Sequence, residues 1–381
     1  MGATGTVGAV DAAPPHDKFV IGGLLALSGP LGITGIEARK GMDLAVEQRG
    51  GRLLGVPIEL RWEDTESKPQ IAVQKATKAV AGGAEFLLGS VGSGETLAIM
   101  KLAAVRKIPL LVPLSSDPSI TGTARNAYTF RTTLSGDSLT NIVVGYLRAG
   151  NAAQKVYGVV ADYPVARSSW LKVKFDLGSR LTVVGEDFPS LGQGDYSVIV
   201  NKIAGSGAEV AVVALGGNDA VTFMKQAEEV HLRQKVKLVG MNIADSAMAE
   251  AAGRGALGAV SSVRYDFSLV NEANQKFVAA FRAKYGEYPS AFAGDAYDGL
   301  SWWLDVIEKT HSWRSEDWMN AFQNSSWEHS IVGSRTMRAC DHQALVPGFI
   351  AEVGTGQAPS PKYTMNVLKT LAPQTIAAPC P

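Results

Sequence analysis

Short runs of continuous apolar and β-branched residues recur along this chain, each followed by a turn and an amphipathic stretch of helical length. The runs are 19–27 (FVIGGLLAL), 85–89, 108–114, 155–161, 210–215 and 237–240. Apolar residues without alternation suit strands buried on both faces, as in a parallel sheet covered by helices. Between the runs, 35–48 (GIEARKGMDLAVEQ), 70–80, 95–105 and 218–230 keep apolar residues at i, i+3 and i+4, the stripe of a helix packed on one side. Repetition of this kind predicts βαβ units and an open, doubly wound sheet.

The repetition falls into two blocks, about 19–131 and 155–265. Beyond them 271–285 and 292–310 read as long helices, with short strands at 349–353 and 363–368. A late helical block has to pack on a sheet already present, so the chain is expected to be an α/β protein of two Rossmann-like lobes. The first lobe takes 19–136 and 266–336, and the second takes 137–265 and 337–381. Crossings are expected near 134–139, 263–267 and 334–340, with a ligand cleft between the lobes, and residues 1–18 read as a disordered lead-in. The 41 glycines among 381 residues belong largely at the strand-to-helix turns, where tight geometry and close backbone approach favour them.

Several function classes are excluded or disfavoured. With 36 Lys+Arg against 36 Asp+Glu, the basic excess of a nucleic-acid binder is missing. No stretch reaches the roughly 18 apolar residues of a membrane span, and the first residues lack the basic and apolar regions of a secretory signal. On that reading an exported protein would already have lost its leader. The five histidines form no HExxH or HxH pattern, and no GxxxxGK[ST] or GxSxG is present, so neither a metal, a cofactor nor an enzyme activity is expected. Cys340 and Cys380 are either a bridge holding the C-terminal tail or two unrelated thiols; a bridge implies an oxidising compartment. Arg131, in YTFRT, reads as a structural ion-pair partner, and the tryptophans at 302, 303, 313, 318 and 327 read as core or surface residues.

Five segments carry a resemblance. They are LLALSGPLGITGIEARKGMDLAVEQ (24–48), GSVGSGETLAIMKLAAVRKIPLLVPLSSDP (89–118), GDYSVIVNKIAGSGAEVAVVAL (194–215), FVAAFRAKYGEYPSAFAGDAYDGL (277–300) and MRACDHQALVPGFIAEV (337–353). In this order they resemble the type I periplasmic substrate-binding proteins of ABC importers, in the leucine/isoleucine/valine-binding branch. The resemblance implies a monomeric receptor in the periplasm. It would hold an amino acid or related small carboxylate between its lobes by hinge closure and hand it to an ABC permease in the inner membrane.

The resemblance also implies a site. Ser93, Leu114 and Ser116, with Ser115 between the last two, match hydroxyl and backbone positions that hold an α-carboxylate. Helix N-termini favour an anion there, whereas on residue type alone these serines read as helix caps. Ile33 and Thr34 occupy the first wall loop. Asp162, Tyr163, Asn218, Asp219 and Asn242 follow strands of the second lobe, and Tyr297 either lines the cleft or packs on the sheet. Position 242 departs from the family: amino-acid-binding members carry a glutamate there for the ligand ammonium, and Asn242 has no charge to offer. Either Asp219 or Asp245 compensates, or the ligand is an amine-free acid, aromatic or branched aliphatic. A sensory ligand-binding module and an enzyme on the same doubly wound sheet are the competing functional classes.

Overall fold

The structure, a computed structural model, describes residues 16–150 and 154–380; most of the expected lead-in lies outside the described residues. The apolar runs become strands. In the first half these are β1 (Phe19–Leu25), β2 (Arg52–Leu53), β3 (Val56–Asp64), β4 (Phe86–Gly89), β5 (Leu110–Val112) and β6 (Thr129–Arg131). They form one sheet in the order β2-β3-β1-β4-β5-β6, parallel throughout except for the short β2. The second half supplies β7 (Gln154–Val160), β8 (Leu181–Asp187), β9 (Val210–Ala214), β10 (Lys237–Met241) and β11 (Val260–Val263).

Five more strands follow: β12 (Ser326–Trp327), β13 (Arg335–Met337), β14 (Ala344–Leu345), β15 (Gly348–Thr355) and β16 (Tyr363–Leu371). β15 and β16 join the second sheet, whose order is β16-β15-β11-β10-β9-β7-β8. Both run antiparallel to their neighbours, while β7 to β11 are parallel. β12 to β14 make a small antiparallel sheet that touches the edge of the first through a bridge between Arg131 and Gln343.

Helices cover the sheets: α1 (Gly32–Gln48), α2 (Pro69–Ala81), α3 (Ser93–Arg106), α4 (Gly136–Ala149), α5 (Pro164–Leu177), α6 (Ser197–Gly205), α7 (Gly217–Glu229), α8 (Ser246–Ala252), α9 (Glu272–Tyr285), α10 (Ala291–Thr310), α11 (Ser315–Phe322) and α12 (Pro373–Ile376). The late helix α10 lies along α1 on the first sheet. Gly41 allows the close approach, because a Cβ there would sit 2.0 Å from the Ala293 carbonyl oxygen. Beside them Phe19, Phe86, Phe130, Trp303, Trp318 and Phe322 pack ring to ring in a dry core. The tryptophans at 302, 303, 313, 318 and 327 are wholly or partly inside. Among the described residues no helix is long and apolar enough to cross a membrane.

The chain passes between the two large sheets three times, after β6, after β11 and after β14. One buried charge cluster ties the passages together. Arg335 is paired with Asp298 (2.7 Å) and Asp295 (3.0 Å) and donates to the Thr132 carbonyl. Asp295 also accepts from Thr133 and lies 3.5 Å from Arg264. Buried cations and anions are tolerated where each has a partner. Near the C-terminus Cys340 and Cys380 are joined in a disulfide, their Cα atoms 6.2 Å apart, which ties the tail to the connection between β13 and β14.

Candidate functional site

Parallel strands deliver the helix N-termini that follow them to one edge of their sheet. Here the carboxyl edges of the two sheets face each other, and the first turns of α1, α3, α4, α5, α7 and α10 converge on one cleft. The space between protein atoms there is ≈ 680 Å³, part of it open to solvent. The centres of water molecules have access to ≈ 90 Å³, on the order of seven waters at about 10–15 Å³ each. That is the size of one small organic molecule.

Apolar side chains make most of the wall: Leu31, Val91, Leu114, Leu139, Val165, Met241 and Phe292 among them. The polar side chains are Thr34, Ser93, Ser116, Tyr163, Ser169, Asn242 and Arg264. Among the described lining residues there is no carboxylate. The mouth is bridged where the loop before α1 meets the start of α7: the Asn218 N–H donates to the Pro30 carbonyl at 3.0 Å and its amide to Gly29 at 3.3 Å. Gly217 has φ +58°, and a Cβ on it would lie 2.7 Å from the Pro30 oxygen.

The cleft brings together Thr34, Ser93, Leu114, Ser116, Tyr163 and Asn242 of the residues singled out from sequence. Ser93 is the first residue of α3, but the N-terminus is capped by Glu95, which accepts from the Gly92 N–H at 2.8 Å. The Ser93 hydroxyl instead accepts from the Asp117 N–H at 3.3 Å. Burial and the Asp219 charge push the Tyr163 hydroxyl up to about 12, so it stays protonated as a donor. Asn242 takes the left-handed φ of +52° that Asn tolerates better than most residues. Its amide, oriented to suit its neighbours, accepts from Arg264 Nη2 at 2.9 Å and donates to the Ser262 carbonyl at 3.3 Å.

Six of the expected positions lie elsewhere. Ser115 is turned behind the loops, bonding Ser90, Val91 and Thr96, because neighbours in an extended segment point to opposite sides. Ile33 is off the wall, its place taken by Leu31. Asp162 is exposed and paired with Arg167, and Asn218 closes the mouth rather than lining the pocket. Asp219 is spent on the Gly192 N–H at 2.7 Å. Tyr297 bonds Gln48 and packs on Phe277 on the outer side of α10; Phe292, at the helix start, is the residue that reaches the cleft. Neither Asp219 nor Asp245 compensates for Asn242, since Asp245 accepts from the Met248 and Ala291 N–H groups.

Arg264 was not among the expected residues. It lies directly after β11, the strand-end position where site residues gather, and that position was the available signal in VSSVRYDF. Arg131, by contrast, is structural: its three nitrogens bond Gln343, the Asp117 carbonyl and Thr121. Among the described residues no carboxylate pairs with it directly, and burial lowers its pKa to about 9.

Comparison with known proteins agrees with this architecture. The family model described as periplasmic binding protein matches residues 18–358. A Leu/Ile/Val-binding protein homolog of Brucella melitensis is 26% identical over 220 residues, covering 56% of this chain and 58% of that relative. The chain therefore spans little more than half the length of this curated relative. A solute-binding protein of an ABC transporter from Rhodopseudomonas palustris, solved with 3,4-dihydroxybenzoic acid, superposes with a TM-score of 0.86 at 21% identity, covering 94% of this chain and 98% of that one. Another from R. palustris, solved with benzoate, gives 0.85 at 24% identity, covering 93% and 97%. With most of its length matched by that family model and two facing α/β sheets around one cleft, this chain belongs to the periplasmic binding protein family.

Proposed function

We propose that the protein is the extracytoplasmic receptor of an ABC importer and that it binds a small amine-free carboxylate, aromatic or branched aliphatic. The lobes, 19–136 with 266–336 and 137–265 with 337–381, close on the solute by hinge motion, and the loaded receptor delivers it to a membrane permease without chemical change. The observation that carries this reading is the absence of a carboxylate from the described wall. An ammonium desolvated there without a partner costs on the order of several kcal/mol. The hydroxyls of Ser93, Ser116 and Tyr163 and six helix N-termini instead favour an anion. The apolar remainder and the volume suit a ring or a branched chain. The disulfide supports residence in an oxidising compartment.

The test is calorimetric titration with matched pairs that differ only in the amine, such as 4-methylpentanoate and leucine, together with benzoate and the hydroxybenzoates. The acids are expected to bind and to stabilise the fold by about 2.7 kcal/mol at 100 Kd. Leucine binding more tightly than 4-methylpentanoate would refute the amine-free reading, and no binding by any of them would refute the receptor reading.

A further inference from the structure

Three arginines are buried to 2% exposure or less: Arg131, Arg264 and Arg335. They differ in how their donors are spent. Arg131 has every guanidinium nitrogen bonded to a neutral oxygen. Arg335 likewise places Nε on Ser330 and Asp298, Nη1 on the Thr132 carbonyl and Nη2 on Asp295. Arg264 gives Nη1 to the Leu114 carbonyl (2.7 Å) and Thr133 (2.8 Å), and Nη2 to Ser116 (3.0 Å) and Asn242. Its Nε–H has no partner. Among the described residues of the cleft wall it is the one fully buried side-chain donor left so.

Its charge is also incompletely matched. The nearest carboxylate, Asp295, is 3.5 Å away and is held more closely by Arg335. The guanidinium carbon lies 5.0 Å from the centre of the Phe292 ring, which also lines the cleft. The Nε–H is closed off from the cleft as well, so a solute meets this charge through Ser116, a cleft residue whose hydroxyl oxygen the guanidinium holds, and hydrogen bonds beside a charged group are strong when made to an anion. We infer that Arg264 is the cationic anchor of this site, its charge drawing the acid group of the bound solute to Ser116, which the same guanidinium holds. This rests on the receptor reading above and deepens it. The charge that selects an acid is supplied by the segment after β11, alongside the serine loops of the first sheet.

The experiment titrates the wild type with benzoate, 4-methylpentanoate and L-leucine, and carries the tightest binder into the variants. Arg264→Gln is expected to weaken it by about 10- to 100-fold, the worth of one hydrogen bond to a charged group. Arg264→Lys keeps a cation beside Asp295 and is expected to recover part of that loss; binding as weak as that of Arg264→Gln would overturn the part played by the charge. Wild-type affinity in Arg264→Gln would overturn the anchor while leaving the receptor reading intact. Failure of the wild type to bind any of the three acids would overturn the receptor reading, and the anchor with it. Should the variants not fold, a crystal structure of the wild type with the same ligand decides. A carboxylate oxygen within about 3.2 Å of the Ser116 hydroxyl supports the anchor, and an acid group held away from Ser116 and the guanidinium overturns it.

Discussion

Gly217 is where a single methyl group tests hinge closure. Its φ of +58° is left-handed, which costs an alanine roughly 1–2 kcal/mol in any state of the protein. The second effect is specific to the closed cleft. The new Cβ would lie 2.7 Å from the Pro30 oxygen, a backbone atom that cannot rotate away and already accepts from the Asn218 N–H at 3.0 Å. Relief of that overlap costs about 1–3 kcal/mol, and loosening the bridging hydrogen bond removes about 1 more. Both penalties vanish when the lobes part. Gly217→Ala is therefore expected to bind its solute some 30- to several-hundred-fold more weakly, at about 1.4 kcal/mol per tenfold. Calorimetry gives the affinity, and small-angle X-ray scattering with and without ligand gives the degree of closure. Unchanged affinity, together with a normal decrease in radius on binding, would refute the argument that this contact belongs to the closed state alone.

Three further expectations concern stability. Gly41→Ala drives a Cβ to 2.0 Å from the Ala293 oxygen and should cost about 2 kcal/mol or more in urea unfolding; a loss below about 0.5 kcal/mol would contradict the α1–α10 packing. Reducing the Cys340–Cys380 bridge, which spans 40 residues, should destabilise the fold by about 4 kcal/mol by chain entropy, whereas an unaltered melting temperature would show that the tail is held by other contacts. Asp245 is raised from 3.8 to about 6, chiefly by burial. Its native carboxyl therefore holds a proton to higher pH than the unfolded one, and its contribution to stability is full below 3.8 and lost as pH rises to about 6. The stability of Asp245→Asn relative to wild type should accordingly climb across that window by up to about 3 kcal/mol, and a difference independent of pH would refute the assignment.

Within the parallel parts of the two sheets, the strands legible in the sequence were those buried on both sides. β1, β4, β5, β7, β9 and β10 all read as unbroken apolar runs because helices cover both faces of a parallel sheet. β3 and β8 carry mixed exposure (VPIELRWED and LTVVGED), and so escaped a reading based on continuous hydrophobicity. The same pattern limits the site. Strand ends identified the loops, but direction within a loop is a matter of pleat and helical angle. Ser115 and Ser116 differ by one residue and face opposite sides. Phe292 and Tyr297 stand five residues apart on α10, about 140° around the axis, so only one of them reaches the cleft.

Overall neutrality concealed the remaining feature. A chain with 36 basic and 36 acidic residues gives no hint that a cation stands in its cleft, and a site built of hydroxyls and backbone amides accounts for anion binding without one. The buried cluster explains how both hold. Arg264 and Arg335 face Asp295 and Asp298, two charges against two, so the cluster adds nothing to the net charge. Yet the sharing is unequal: Arg335 bonds both carboxylates closely, while Arg264 has only the more distant side of Asp295. Placing the weaker pairing at the cleft wall leaves Arg264 the freer of the two cations for an incoming acid. A carboxylate arriving at Ser116 meets a positive charge that the protein leaves only partly balanced, and that is a stronger basis for selecting an acid than the number of positive charges in the sequence.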